Sequence, residues 1–138
     1  MAHQKLHVQV ITSRKRLLAV DAAEVILPAF DGEVGILPQH ENFVGTLGIG
    51  PLKVVEDDQS HWFAICEGIF EVEHSNLTVL ARDGVEADQI NTEAIKEQLR
   101  PLEASLGEAS YYEPNYKQLR SQIRYLHAML ETHQRSAK

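Results

Sequence analysis

The chain has 138 residues, 43% of them apolar and 24% charged, with a formal net charge of −7 and one cysteine. This composition supports one buried core plus a small appendage and excludes a disordered chain. The acidic balance argues against nucleic-acid binding, which needs a basic surface, and the lone Cys66 rules out an internal disulfide. The first ten residues lack the apolar stretch of a signal peptide, and no run approaches the roughly 18 apolar residues of a membrane span. The expectation is a soluble intracellular protein whose link to a membrane runs through a partner.

Leu6, Val8 and Val10 alternate with His7 and Gln9, the period of a half-buried strand. Further strands are predicted over 17–20 and 24–27, with Pro28 marking the edge of the second. Residues 30–40 form a shaped corner. In it Asp31-Gly32 signals a turn, Gly35 a bulge or a close backbone approach, and Pro38 the end of the run. Strands over 43–47 and 49–55 are parted at Gly48, and Gly50-Pro51 reads as a turn. After the polar turn 56–59 come 61–66 and 69–73, parted at Glu67-Gly68; Ser75-Asn76 then turns into 77–81. Within 69–73, Phe70 and Val72 alternate with Glu71 and Glu73, so one face is buried and the other wet. Such short strands with regular turns predict an antiparallel sandwich or barrel.

Past residue 84 the period becomes helical. Ile95, Leu99, Leu102 and Leu106 share one stripe, Asn91 or Thr92 can cap the start, and Glu93 suits the first turn. Pro101 predicts a kink or break near Arg100, because it removes a helical hydrogen bond and clashes with the preceding turn. Residues 107–113 read as a linker and Pro114 as the first position of a second helix, with Leu119, Ile123, Leu126 and Leu130 as its stripe. Two such helices form an antiparallel hairpin that must cover its narrow apolar stripes on the strands, on itself or on a partner. The expected division is 1–84 for the strands and 85–138 for the helices.

Residues 1–84 hold 12 acids against 6 Lys/Arg, whereas 115–138 hold only Glu131 against Lys117, Arg120, Arg124, Arg135 and Lys138. Lys117, Arg120, Arg124 and His127 recur on one helix face. An acidic body with a basic tail is either a solvated helix face or a surface for an acidic partner.

Little here asks for catalysis. Gly48-Ile49-Gly50-Pro51 lacks the Lys-Ser/Thr of a phosphate loop, no serine elbow is present, and Cys66 in an apolar strand reads as a small core residue. His3 and His7 alone have helical spacing, but near a strand-forming terminus. His61 and His74 would make a metal pair if they met across neighbouring strands; scattered surface histidines are the favoured account.

At Gly32-Glu33-Val34-Gly35-Ile36-Leu37-Pro38-Gln39-His40 the chain resembles the epsilon subunit of F-type ATP synthases, whose pattern is Gly-Glu-(apolar)-Gly-Ile-(apolar)-Pro-x-His. Gly68-Ile69-Phe70-Glu71-Val72, followed by Leu77-Thr78-Val79-Leu80-Ala81, is a second match, and Gly50-Pro51-Leu52 resembles the glycine-led hairpin between them. The order and spacing agree over 5–83. This resemblance implies a β-sandwich, antiparallel with about ten strands, followed by a C-terminal α-helical hairpin. It implies a non-catalytic, cofactor-free and metal-free subunit of the central stalk. Its partners would be the gamma subunit, the membrane-embedded c-ring and the alpha/beta catalytic head, with proton flow coupled to ATP synthesis. In bacterial relatives the helical tail extends up the stalk and obstructs hydrolysis. The implied location is the cytoplasmic face of the bacterial inner membrane, reached only through the complex.

The same resemblance puts Glu33 toward the c-ring, His40 and Thr12 toward gamma, and Lys117, Arg120 and Arg124 toward an acidic segment of the beta subunit. Three departures stand out. Residues 90–95, Ile-Asn-Thr-Glu-Ala-Ile, lack the Asp/Glu-x-x-Arg-Ala with which some relatives bind ATP. Glu67 replaces a glycine common before Gly68, and Pro101 argues against a long, straight, extended first helix.

Overall fold

Seven strands and two helices follow one another in the computed structural model, which describes residues 4–138. The strands are β1 (Leu6–Thr12), β2 (Arg16–Ala22), β3 (Glu24–Ala29), β4 (Gly32–Ile36), β5 (Phe43–Val55), β6 (Ser60–Glu73) and β7 (Asn76–Glu86). A short 3₁₀ turn, Ala87–Gln89, leads to α1 (Thr92–Glu108) and α2 (Tyr116–Ser136). His3 lies outside the described residues, so its pairing with His7 has no structural account.

One sheet runs in the order β2-β1-β7-β6-β5-β3-β4. Its neighbours are antiparallel except β1 and β7, which pair in parallel, so the sheet is mixed rather than wholly antiparallel. Against the roughly ten strands expected there are seven, in part because the predicted breaks at Gly48 and Glu67-Gly68 are bends within β5 and β6. Pairing continues across them in unchanged register: Leu47 faces Gly68 and Ile49 faces Cys66. The inward face changes parity there, however. On β6, Phe63 and Ile65 enter the core before the bend and Phe70 and Val72 after it. On β5, Leu47 does so before and Leu52 and Val54 after. In a plain strand such a switch would send half of these side chains to water. Here a local twist makes it, and on β6 it sits at Glu67 and Gly68, with φ of 61° and 128°. The long strands thereby fold the sheet over its own inner face into the two layers of a sandwich around one core.

Glu67 accepts this left-handed backbone although it is no glycine; its carboxylate lies 2.7 Å from the Arg82 guanidinium on β7. The turn expected at Gly50-Pro51 is absent, since both residues sit in mid-β5, paired with Ile65 and Ala64. The reason is an interruption on the other side. Between β3 and β5, pairing skips from Ile26–Lys53 to Ala29–Leu47, and Pro28 and Pro51 both occupy the gap. Neither proline has an N–H to offer, so the missing rungs strand no donor of theirs. Pro28 is therefore buried inside β3 rather than marking a strand edge.

Phe30 and Asp31 turn β3 into β4, and Pro38 ends β4 as expected, in a turn that the His40 N–H closes onto the Leu37 carbonyl. Gly35 makes neither bulge nor close contact. It pairs regularly with Ile26 on an edge strand, and a Cβ there would meet open space. His74 and Ser75, both at positive φ, form the two-residue turn into β7, one residue earlier than predicted.

The Asn91 side chain caps α1 by accepting from the Ala94 N–H. Of the kink or break predicted near Arg100, the break does not occur: the helix runs on through Pro101 to Glu108. Pro101 is exposed, as is Glu97, whose carbonyl loses its partner, so that group faces water instead of an apolar contact. The second helix starts at Tyr116 behind Asn115, leaving Pro114 just outside. The hairpin lies on the outer face of the sandwich. Ile95, Leu99, Ile123 and Leu126 pack there on Ala64 of β6, with Val85 of β7 beside it. The small Ala64 side chain allows the helices close approach.

Candidate functional site

The surfaces able to bind a partner lie on three sides. The first is the outer face of the layer built from the early part of β5 and β7 and the late part of β6. Because Phe70 and Val72 point inward, Ile69, Glu71 and Glu73 point out. Register sets Thr46, Ile69, Leu80 and Ile11 side by side across four strands. Ile69 and Leu80 remain 47% and 42% exposed, and nearby Val44 is 62% exposed, too much apolar surface in one place for idle solvent contact. Thr12 follows Ile11 on β1 but lies outside this row, on the next rung, paired with Ala81 of the core. Its hydroxyl is committed to the β1–β2 turn, accepting from the Arg14 and Lys15 N–H groups and donating to the Lys15 carbonyl.

The second surface is an apolar groove lined by Phe30, Val34, His40, Phe43 and Phe70, with Thr46 shared with the row above. Phe30 is 81% exposed at its rim. The half-buried His40 forms part of this groove, with its Nδ1 2.8 Å from the Glu41 carbonyl oxygen. No hydrogen bond joins Thr12, Glu33 and His40 among the described residues.

Glu33 lies exposed on the edge strand β4. Its carboxylate accepts from the Arg135 guanidinium of α2 at 3.0 Å, a contact the sequence did not suggest.

The third surface is the first half of α2. Lys117, Arg120 and Arg124 are exposed there and form no ion pair among the described residues. His127, the next on that face, lies 3.5 Å from Glu103 of α1. The tip of the hairpin adds Tyr111 and Tyr112, 71% and 91% exposed.

The metal reading of His61 and His74 is overturned. His61 lies near the start of β6 and His74 just past the strand's other end, on the order of 40 Å apart along the chain, rather than facing each other from neighbouring strands. His61 instead bonds Glu56 across its hairpin, and His74 is an exposed turn residue. Cys66 is buried, and burial pushes its thiol pKa up, with Glu67 and Asp83 adding to the rise and Arg82 opposing it. That is the environment of a core residue and not of a nucleophile.

Comparison with known proteins fits this geometry. The family model described as ATP synthase, Delta/Epsilon chain, beta-sandwich domain matches residues 5–87. The ATP synthase epsilon chain of Geobacter sp. (strain M21) is 34% identical over 114 residues, covering 83% of each chain. That of Geobacter sulfurreducens is 33% identical over the same length, with 83% of each chain covered. A chain of the Euglena gracilis mitochondrial ATP synthase, solved with F1 and the c-ring, superposes with a TM-score of 0.80. The match covers 92% of this chain and 80% of that one, and at 18% identity it supports the fold alone.

Proposed function

Because the chain belongs to the ATP synthase delta/epsilon chain family, we propose that it serves as the non-catalytic epsilon subunit of the rotor's central stalk. It couples proton passage through the c-ring to ATP synthesis in the alpha/beta head, and its helical tail acts as a brake on hydrolysis. The observation that carries this reading is the exposed apolar pair Ile69 and Leu80, in register with Thr46 and Ile11 and close to Val44, left uncovered on a domain of this family. We assign the row, together with Thr12 on the neighbouring rung of β1 and His40 in the adjoining groove, to gamma. Glu33 and the open backbone around Gly35 on edge strand β4 are assigned to the c-ring, where the empty space lets another chain approach closely. Three strands pass unbroken through both layers, so torque taken up in one layer reaches the other along covalent chain.

Residues 1–84 are taken as the coupling unit and 85–138 as the brake. No helix of the described residues is long and apolar enough to cross a membrane. The proposed position is the cytoplasmic face of the bacterial inner membrane, held there through gamma and the c-ring.

Lys117, Arg120 and Arg124, without an ion pair among the described residues, suit an acidic segment of the beta subunit, with charge guiding encounter and register. Lys117→Glu combined with Arg120→Glu is expected to abolish tail inhibition of an alpha/beta/gamma core while leaving assembly intact. Hydrolysis rates, and subunit content after gel filtration, test this at low and high salt. The wild-type inhibition should weaken with salt, as exposed charges are screened. Loss of the double mutant from the complex would contradict the division between coupling unit and brake.

A further inference from the structure

The helical hairpin meets the strands almost wholly through apolar packing, and that packing ends near Leu130. Beyond it, His133 and Ser136 sit over a polar cleft with Ser60, His61 and Trp62. One ion pair joins helices to strands among the described residues: Arg135 to Glu33, 102 positions apart in sequence. The same guanidinium lies 5.1 Å from the centre of the Trp62 ring, and Lys53 lies 5.2 Å from that centre. Two cations share one aromatic ring. Each is attracted to the ring and repelled by the other, and Glu33 supplies the negative charge that offsets the repulsion.

We propose that Arg135 is a latch, bridging Glu33 and Trp62 to hold the last turns of α2 on the sheet, with the Glu33 charge setting its strength. The inference deepens the stalk reading above and rests on it in one respect. Glu33 is the residue assigned to the c-ring, so a partner that takes up its carboxylate loosens the tail. Holding the tail and meeting the ring draw on one side chain. Around the latch, Glu131 on α2 lies 3.8 Å from Arg135, too far for a full hydrogen bond but able to receive it on release.

The test uses the full chain alone. Trp62 is the sole tryptophan, so its fluorescence reports on the cation above its ring. Hydrogen exchange of the amides of 131–136 reports on docking. Glu33→Gln and Arg135→Ala should each speed that exchange by about three- to tenfold, the range expected for an exposed ion pair plus a cation–π contact. Both should also shift Trp62 emission, while exchange within β5–β7 stays unchanged. The double variant should exchange no faster than Arg135→Ala, because both substitutions break one device. Unchanged exchange at 131–136 in Arg135→Ala, or simple addition of the two effects, would overturn the latch. These readouts need no partner. A failed latch leaves the stalk reading standing, and a failed assembly with gamma leaves the latch standing.

Discussion

Gly68→Ala is expected to cost at least about 3 kcal/mol of stability, a large share of the roughly 5–15 kcal/mol that holds a domain folded. A Cβ at this position would lie 2.1 Å from the Leu80 carbonyl oxygen and 2.9 Å from the Ala81 Cα, both backbone atoms of the neighbouring strand. They cannot retreat without breaking the Gly68–Ala81 rung. The φ of 128° adds strain for any L side chain. This bend also turns Phe70 and Val72 inward, so relaxing it would expose core to water. Gly35→Ala is the matched control: a Cβ there meets nothing within 4 Å, and its cost should stay within about 0.5 kcal/mol. Urea midpoints for the wild type and both variants decide the matter. Equal midpoints for the two variants would show that the bend tolerates a side chain.

The second large effect is on assembly. Ile69→Asp should weaken association with gamma by about 100-fold, while leaving the melting temperature near that of the wild type. Ile69 lies in the middle of the outer row, between Thr46 and Leu80, and is 47% exposed. A carboxylate there makes few demands on the free fold. Buried in an apolar interface it would lack a partner, and an unpaired charge is costly to desolvate. Glu71→Ala, one position further along the same face, removes a rim charge and should change affinity little. Titration calorimetry with purified gamma gives both numbers. Undiminished binding by the Ile69→Asp chain would move the gamma contact off this face.

The local chemistry of this chain was readable where it depended on neighbours in sequence. Alternation of Phe70 and Val72 with Glu71 and Glu73 gave the correct inner face. Asn91 was legible as a cap, and the stripes of both helices pack as their spacing implied. The motif at 32–40 led to the family that the comparisons support.

What was misread depended on distant partners. A glycine that bends a strand and a glycine that ends one look alike, and only the continued pairing of β5, β6 and β7 tells them apart. Gly50-Pro51 carries a strong turn signal, yet Pro51 fits a mid-strand position because Pro28 fills the same gap from the opposite strand. Pro101 suggested a kink or a break, and the break does not occur, as its lost hydrogen bond falls on the solvent side of α1. The pairing of Glu33 with Arg135 was beyond local reading, since each is an ordinary surface charge until the fold sets α2 beside β4.

Co-purification of the full chain with the gamma subunit, followed by sedimentation of the mixture, bears most directly on the central claim. A stable one-to-one complex, under which alpha/beta hexamers hydrolyse ATP more slowly than they do with gamma alone, is the expected result. Two separate species at micromolar concentrations would instead mark a free-standing β-sandwich that shares this fold without joining the stalk.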